Sequence, residues 1–395
     1  MKAFAIGHPG RLALLFLAHA LGTASITIVV ATAPAIEAAL DVGHAQFGVL
    51  VSCFYGAMFV LALPAGWLVD RFGLRPMLML AHALLAAGLW AFASARTPFA
   101  AAIGLLVCGA GYALVNPATA RGVLMWFPRA TRATAMSVKQ AGVPAGGALA
   151  ALLVAWGAGE WRVLAAALAF VSLLACLPYS TLPPAAQERP ASTVTWRDIG
   201  ALLGVRHLQL FNVGACLYAM SQAAFFAYVV LYARDALSAP IAVTSVCLAL
   251  AHLASATGRV GWGVLSDRLI RHGRAAGLVA IGVLAAGGVL LLSSLPATGA
   301  IVVLAIAAVL VGATLGGYAG LIQAAAVEAV DAHTAGAAIG YNMLLVSLGT
   351  FLGPAAFGVG VQAIGYAATW TIMAAVLALG AALFVAGRPR VAYGH

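Results

Sequence analysis

The sequence predicts an all-α polytopic membrane protein with twelve transmembrane helices in two pseudo-symmetric six-helix bundles. Three observations predict this fold. Of the 395 residues, 64% are hydrophobic and 8% are charged, whereas about a quarter of the residues in a soluble domain are charged. Apolar blocks long enough to cross about 30 Å of hydrocarbon as helices recur to the end of the chain. A short pattern that ends one block in the first half also ends the corresponding block in the second half.

Apolar blocks between proline, glycine and charge clusters place the individual helices. Six are expected in the first half, at 12–34, 46–69, 75–94, 98–123, 134–156 and 161–181. Six more are expected at 206–231, 240–264, 274–294, 299–325, 335–359 and 363–386. A polar, proline-rich stretch separates the two sets. We therefore predict an N-terminal bundle at 1–181, a cytoplasmic linker at 182–205 and a C-terminal bundle at 206–395. Because apolar blocks recur along the whole chain, the first one is not read as the signal peptide of a soluble enzyme.

The basic residues indicate the orientation. A net charge of +10 suggests nucleic acid in a soluble protein, but in a membrane protein the positions of Lys and Arg report topology. If the N-terminus is cytoplasmic, most connection arginines are cytoplasmic too: Arg71, Arg75, Arg129, Arg132, Arg189, Arg197, Arg206, Arg268, Arg271, Arg274, Arg388 and Arg390. Only Arg96, Arg162 and Arg234 then face outward. We expect a cytoplasmic (inner) membrane protein with both termini in the cytoplasm and no nucleic-acid partner.

Several kinds of chemistry are not expected from this chain. All five cysteines lie in apolar segments, where a thiol behaves as a small hydrophobe and implies neither a disulfide nor a metal site. They are Cys53, Cys108, Cys176, Cys216 and Cys247. The sequence offers no paired nucleophile and base, no metal-ligand spacing and no phosphate loop. We expect no enzyme activity and no cofactor, and we expect a monomer.

An internal repeat relates the two halves. The predicted second helix ends in GWLVDR at 66–71, and the predicted eighth helix ends in GVLSDR at 263–268. Weaker echoes pair Tyr112 with Tyr318, and Lys139-Gln140 with Tyr341-Asn342. Such repeats are the usual plan of secondary transporters, whose solute site lies between the repeats near the middle of the bilayer.

The first repeat also resembles a known family signature. GWLVDRFGLRP at 66–76 resembles the loop between helices 2 and 3 of the major facilitator superfamily, and the resemblance covers essentially the whole chain. The matching residues are Gly66, Asp70, Arg71, Gly73 and Arg75, whereas Leu74 stands where a basic residue is common. The resemblance implies the major facilitator fold. It also implies a gating role for Asp70, Arg71, Arg75, Asp267 and Arg268; the alternative is loop solvation with positive-inside bias. We expect Gly66 to let a neighbouring helix approach closely.

A second segment resembles organic-anion carriers of that superfamily. It reads NPATARGVLMWFPRATRATA at 116–135, followed by Gly142, Gly146 and Gly147. Pro117, Trp126, Phe127, Pro128 and Arg132 match the helix 4 to helix 5 segment of those carriers. For these residues we favour a structural interpretation, in which Pro128 ends the helix, the aromatic pair lies at the interface and the glycines allow close packing. The pattern still directs the substrate class toward anions.

Arg259 is the main candidate for substrate contact. It lies two turns inside Asp267, and an ionisable group at such depth costs about 3 kcal/mol or more unless it faces a cavity or a partner. The spacing Arg259, Gly263, Asp267 resembles helix 8 of monocarboxylate and oxalate carriers, whose Arg binds a substrate carboxylate. A guanidinium fits because its planar fork donates two parallel hydrogen bonds. The alternative pairs Arg259 with helix-end carbonyls or with Asp267.

Two histidines are candidate proton carriers. His252 precedes Arg259 by seven residues, so the two share a helix face about 10 Å apart with Ser255 between them. Its ordinary titration range suits a proton carrier, although a lone membrane histidine also serves as a hydrogen-bonded packing residue. His19, near Thr23 on the first predicted helix, is the second candidate.

Other polar residues complete the predicted site. Lys139 and Gln140 are expected to face the solute cavity. The alternative for Lys139 is that its amine extends to the membrane surface. Arg121 is expected to balance the gate acid Asp70. The remaining candidate pocket residues are Tyr112, Asn116, Tyr218, Gln222, Phe226, Tyr318, Gln323 and Asn342; their alternative role is hydrogen bonding or packing between helices.

Acidic residues are rare at membrane depth. Only Asp70, Asp267 and the helix-edge residues Glu37 and Glu328 qualify. A carrier of cationic drugs needs a buried carboxylate, so deep positive groups favour an anion. The leading hypothesis is a secondary active transporter of a small mono- or dicarboxylate working by alternating access, with a proton as a possible second solute. The alternatives are an exporter of drugs or other amphiphiles, and a membrane sensor that has lost transport.

Overall fold

The structure of the chain is a computed structural model, and it describes residues 7–128, 130–157, 160–183, 200, 202–269, 274–295, 301–328 and 335–387. Most of the predicted linker, namely 184–199 and 201, lies outside these residues. So do the connection residues Arg129, Arg189, Arg197, Arg271, Arg388 and Arg390. The side chains of Asp267, Arg268 and Glu328 are also outside the description.

All regular structure in the described part of the chain is helical. The first half contains α1 Gly7–Ala31, α2 Ala33–Leu40, α3 His44–Val60, α4 Ala62–Phe72, α5 Leu74–Ser94, α6 Pro98–Trp126, α7 Arg132–Trp156, α8 Trp161–Leu174 and α9 Cys176–Ser180. The second half contains α10 Arg206–Leu237, α11 Ile241–Leu269, α12 Arg274–Ser293, α13 Ile301–Leu315, α14 Ala319–Glu328 and α15 Ala335–Ala386.

In the described part of the chain, ten helices are long and apolar enough to cross a membrane, or eleven spans are present if one bent helix pair counts as a span. One of these, α15, has 52 residues and a length of about 78 Å, more than twice the hydrocarbon thickness of about 30 Å. It is broken at Gly365, where φ is 78° and ψ is 171°, and so forms two spans. The bent pair is α2 and α3, which meet at 112°. The predicted class, an all-α polytopic membrane protein, is confirmed.

Local chemistry explains where helices α6 and α4 end. Pro128 follows α6, because a proline nitrogen cannot donate to the preceding turn. The side chain of Arg132 then caps α6, with Nε donating to the Phe127 carbonyl at 3.0 Å and Nη2 to the Leu124 carbonyl at 2.8 Å. Gly73 joins α4 to α5 at a φ of 88°, a conformation that glycine adopts readily because it has no Cβ. The signature loop is therefore a single sharp corner.

Glycines set how closely the helices approach. A Cβ at Gly142 would lie 2.3 Å from the Phe16 carbonyl oxygen, and one at Gly146 would lie 2.0 Å from that of Ala20. Helix α7 therefore packs on α1 at a distance that only glycine permits, as the sequence predicts. The expectation for Gly66 is wrong. A Cβ there would meet no atom within 4 Å, because no neighbouring helix of the described chain packs on that face of α4.

We call one end of the helix bundle the Asp70 end and the opposite end the His44 end, after one residue at each. Helix α1 has 25 residues and α10 has 32, so they are about 37 and 48 Å long. Both exceed the hydrocarbon thickness of about 30 Å. The α2–α3 connection carries Asp41 and ends at His44, and the last turn of α10 carries Arg234 and Asp235. Because charged groups are costly in hydrocarbon, we place both segments at the membrane surface of the His44 end.

Contacts between the halves are dense toward the His44 end, where α3 packs on α15. The Ala355 amide donates to Ser52 Oγ at 3.2 Å, and a Cβ at Gly48 would lie 2.3 Å from the Pro354 carbonyl oxygen. Nearer the Asp70 end, Leu63 packs beside a small cluster that contains Tyr341. These contacts close the space between the halves toward the His44 end.

Large apolar side chains cover the outer faces of the helices. Phe99 is 76% exposed, Trp156 is 78% exposed and Val60 is 70% exposed. In water such surface is a liability, whereas lipid tails are as apolar as these side chains. The outer surface is therefore built for a bilayer.

Candidate solute-binding site

A cavity of about 190 Å³ lies between the two halves. Helices α1, α3, α6 and α7 line it from the first half, and α10, α11 and α15 line it from the second. Both bundles thus contribute to one space, which is the position that the internal repeat predicts.

Arg259 lines this cavity from α11. Its Nε is buried and finds no hydrogen-bond partner among the described residues. His252 and Ser255 line the same cavity, so the predicted shared face of α11 is present. The Ser255 hydroxyl is already used, because it donates to the Gly316 carbonyl at 2.9 Å. Arg259 therefore presents donor capacity to the cavity that the surrounding protein does not satisfy.

Hydroxyl and amide groups share the cavity with Arg259. Tyr112 and Thr23 are hydrogen-bonded to each other at 2.8 Å, and Gln222 lines the opposite half. The Tyr112 ring fits over Gly22, where a Cβ would lie 2.1 Å from the ring. The phenol groups of Tyr112 and Tyr318 are within electrostatic reach of Arg259. Tyr112 and Gln222 therefore line the same cavity as Arg259, as the sequence predicts.

His252 is held between aromatic and backbone groups. Its ring centroid is 4.7 Å from that of Phe226, which also lines the cavity. A Cβ at Gly147 of α7 would lie 2.4 Å from the His252 ring. His252 Nε2 has no hydrogen-bond partner among the described residues. The ring is thus a cavity wall at the boundary between the halves.

Lys139 lies in a separate polar cluster, inside the first half. Its Nζ donates to Asn116 Oδ1 at 3.0 Å and to Thr119 Oγ1 at 3.1 Å, and lies 3.4 Å from His19 Nε2. Gln140 Nε2 also approaches Asn116 Oδ1, at 3.4 Å. Lys139 is 1% exposed, so its amine does not extend to the membrane surface. These residues are absent from the lining of the central cavity.

Four other predicted pocket residues are absent from the cavity lining, namely Tyr218, Tyr318, Gln323 and Asn342. The Tyr218 hydroxyl donates to the Leu278 carbonyl at 2.8 Å, and Asn342 Nδ2 donates to Asn212 Oδ1 at 2.8 Å. Gln323 is exposed on α14. Tyr218 and Asn342 thus take the hydrogen-bonding role between helices that the sequence analysis held as the alternative. Tyr318 packs edge-on against Tyr218, with centroids 5.9 Å apart.

The predicted gate residues are partly paired. Arg121 Nη1 donates to Asp70 Oδ1 at 2.7 Å and approaches the Val69 carbonyl at 3.3 Å. This is the pairing expected from the sequence, and it joins α4 to α6 within the first half. Arg71 lies over the ring of Trp67, with 5.5 Å from Cζ to the centroid. Arg75 is half-buried.

Sequence reasoning missed three polar residues of these two sites. Tyr55 and Thr350 line the central cavity, and Thr119 accepts from Lys139. Tyr55 and Thr350 are uncharged and lie in apolar runs, so the sequence does not indicate that their side chains face the cavity. Thr119 had a usable signal, because it follows Asn116 by three residues and so shares its helix face.

Comparison with known proteins places the chain among transporters. It is 26% identical over 270 residues to a probable sulfoacetate transporter of Cupriavidus necator, covering 61% of this chain and 60% of that protein. It is 27% identical over 182 residues to a hexuronate transporter of Escherichia coli K12, covering 44% and 41%. The chain thus matches less than two thirds of the length of either relative. An uncharacterized transporter of Mycobacterium tuberculosis is 26% identical over 345 residues, covering 86% and 76%.

Solved structures share the fold. A bacterial homologue of the human lysosomal transporter Spinster, inward-facing and occupied, superposes with a TM-score of 0.80 at 16% identity, covering 96% of each chain. A variant of a nucleoside transporter gives 0.80 at 15% identity, covering 96% of this chain and 99% of that one. The matching family and these relatives are transporters, not enzymes. Because the model of the Major Facilitator Superfamily matches residues 15–354, the chain belongs to that superfamily.

Proposed function

We propose that the chain is a secondary transporter that carries a small organic anion, a mono- or dicarboxylate, by alternating access. One observation carries the proposal: the Arg259 guanidinium faces the cavity between the halves with a buried Nε that lacks a partner. A buried cation without a counter-charge is costly. A bound carboxylate supplies that charge and accepts two parallel hydrogen bonds from the guanidinium.

The rest of the cavity lining supports an anion. No carboxylate side chain of the described residues lines it, so Arg259 has no acid of the protein to compete with a substrate. Thr23, Tyr112 and Gln222 add neutral polar groups on the facing helices. Cationic solutes would meet an uncompensated positive charge at this site.

The size of the cavity favours a small solute over a drug-like amphiphile. Its volume is about 190 Å³, whereas an apolar cavity of about 150 Å³ holds benzene. Sites for drug-sized ligands are about 300–1,000 Å³. Two relatives are named for anionic solutes, sulfoacetate and hexuronate, and they support the same class.

We place the protein in the cytoplasmic membrane as a monomer, with both termini in the cytoplasm. The Asp70 end is then cytoplasmic, as the arginine distribution predicts. The bodies that rock are 1–181 and 206–395, joined by 182–205. Asp70, Arg71, Arg75 and Arg121, with Asp267 and Arg268 on the second half, control the exchange of states. The Asp70–Arg121 pair is the described contact on which this role rests.

Proton coupling belongs to the same proposal. His252 is the first candidate because it shares the cavity and the α11 face with Arg259. His19 is the second, with a buried Nδ1 that has no partner in the described chain. A proton and a carboxylate bound side by side favour each other, so each should tighten the binding of the other. The test is substrate affinity across pH for the parent and for His252→Gln; equal pH dependence would remove His252 from this role.

Counterflow in proteoliposomes tests the function itself. Purified protein is loaded with one solute and challenged with carboxylates, sulfonates, amino acids and cationic dyes. We expect small carboxylates or sulfonates to drive exchange. Exchange of cationic dyes alone would favour the drug exporter, and no exchange of any solute by a folded, monodisperse protein would favour the sensor.

A further inference from the structure

The His44 end holds a cluster of ionisable groups that belongs to neither site described above. His44, the first residue of α3, and Glu37 of α2 come from the first half. Asp235 and Arg234, in the last turn of α10, and Tyr366, just after the Gly365 break of α15, come from the second. The cluster therefore spans the boundary between the halves where they are in contact.

Both nitrogens of the His44 ring face carboxylates. Nδ1 lies 2.9 Å from Glu37 Oε1, and Nε2 lies 3.5 Å from Asp235 Oδ2. A neutral imidazole carries a proton on only one nitrogen, so its other nitrogen would point a lone pair at an anion. The doubly protonated ring donates toward both. The geometry fits the imidazolium form, with one carboxylate from each half.

The neighbouring groups hold this arrangement in place. The Tyr366 hydroxyl donates to Asp235 Oδ2 at 2.9 Å, and Arg234 Nε lies 3.6 Å from Asp235 Oδ1. The Tyr228 hydroxyl donates to the His44 carbonyl. With His44 neutral, two carboxylates and one guanidinium leave the cluster with one negative charge. A proton on His44 cancels that charge.

We propose that His44 is a proton-binding site that latches the two halves together at this end, closing it when the proton is bound. The inference rests on the proposed function, because the latch acts on the same alternating-access cycle. Opening would carry Glu37 away with His44 but leave Asp235, Arg234, Tyr366 and Tyr228 on the other half. The bridge to Asp235 is therefore the contact that distinguishes the states.

The sign of the pH effect follows from this difference. The hydrogen bond that His44 Nδ1 donates to Glu37, with the charges of Glu37 and Asp235, raises the pKa of His44 above its ordinary 6.5, against opposing effects of burial and Arg234. Opening removes the charges of Asp235 and Arg234 and exposes the ring to water. The latch requires the loss of Asp235 to outweigh the other two changes, so that the His44 pKa is higher in the closed state than in the open state. The proton thus favours closure at low pH, and this stabilisation is lost as pH rises through the closed-state pKa. Each unit of pKa difference between states changes the closed-to-open ratio about tenfold.

Distance measurement across the His44 end tests the latch without any substrate. Spin labels at Arg96→Cys on the first half and Ser294→Cys on the second, in a protein without its five native cysteines, report the separation by pulsed electron resonance. Between about pH 5 and pH 8, where histidine titrates, we expect a short distance to give way to a longer one. His44→Gln should remove the pH dependence. His44→Lys, which keeps a positive charge, should hold the short distance at the higher pH.

Matched acid variants separate the latch from general charge effects. Asp235→Asn should shrink the pH response, because the bridge to the second half loses its anion. Asp41→Asn, at an exposed neighbouring acid, should leave the response unchanged. A pH response that persists in His44→Gln, or a parent distance that stays constant with pH, would overturn the proposal. A pH-dependent distance in a protein that exchanges no anion would instead leave the latch standing and remove the proposed function.

Discussion

His252 on α11 packs against Gly147 on α7 across the boundary between the halves. A Cβ at position 147 would lie 2.4 Å from both Cε1 and Nδ1 of the ring. The wall of the central cavity thus depends on the absence of one methyl group on the opposite bundle. The shape of the cavity and the packing of the two halves are set by the same contact.

Gly147→Ala should therefore disturb both. Overpacking costs about 1–3 kcal/mol, because the His252 ring is wedged against Phe226 and has little room to move. We expect a lower unfolding temperature in detergent and weaker substrate binding. Gly287→Ala is the matched control, since a Cβ there meets no atom within 4 Å. If Gly147→Ala matched the control in both measurements, the contact would not exist in the membrane.

Arg259→Lys should greatly weaken transport while the protein still folds and inserts. A lysine keeps the charge but loses the planar fork that binds a carboxylate through two hydrogen bonds. Losing one charge-assisted hydrogen bond costs about 1.5–3 kcal/mol, so affinity should fall about tenfold or more. Equilibrium binding and counterflow measure the effect. Arg96→Lys, at an exposed connection, is the control, and parent-like affinity in Arg259→Lys would remove the carboxylate clamp.

Lys139→Gln should separate a structural role from a substrate role. Lys139 donates to two neutral acceptors inside the first half, and its cluster does not line the cavity. We expect the variant to lose about 1–3 kcal/mol of stability, the cost of leaving buried polar groups unsatisfied. Substrate affinity should change far less than in Arg259→Lys. An affinity loss equal to that of Arg259→Lys would move Lys139 into the binding site.

Asp70→Asn should leave substrate binding measurable and slow the exchange of states. The change removes one end of the 2.7 Å ion pair with Arg121, which lies outside the cavity. Binding by calorimetry and turnover by counterflow should therefore separate. A double-mutant cycle with Arg121→Gln measures the coupling between the two residues. Loss of binding together with transport in Asp70→Asn would contradict a gating role.

Most of the fold is predictable from the sequence because block length and helix breakers are local signals. The sequence predicts that one helix ends at 359 and the next begins at 363, close to the break at Gly365. The sequence does not predict the bend after α1: the predicted helix runs to 34, whereas α1 ends at Ala31. There Thr32 Oγ1 donates to the Ile28 carbonyl at 2.7 Å, and Pro34 lies in the first turn of α2. Hydropathy does not register either effect.

The site was predictable only where helical spacing fixed it. His252, Ser255 and Arg259 follow from one helix face, and the structure places all three in the cavity. Tyr218 and Asn342 have the same residue chemistry but turn toward neighbouring helices. Which face of a uniformly apolar helix points inward depends on tertiary packing, which spacing alone does not contain. The contact between His44 and Asp235 cannot be predicted from local sequence patterns for the same reason.

The backbone conformation at Gly365 determines which substitutions this position tolerates. Its φ of 78° and ψ of 171° fall in a region that only glycine occupies without strain of about 1–3 kcal/mol. Space around it is open, since a Cβ would meet no atom within 4 Å. Every codon change that replaces glycine adds a Cβ, so small and large residues should be penalised alike. A saturation library should therefore show a position that rejects alanine nearly as strongly as tryptophan, although nothing touches it.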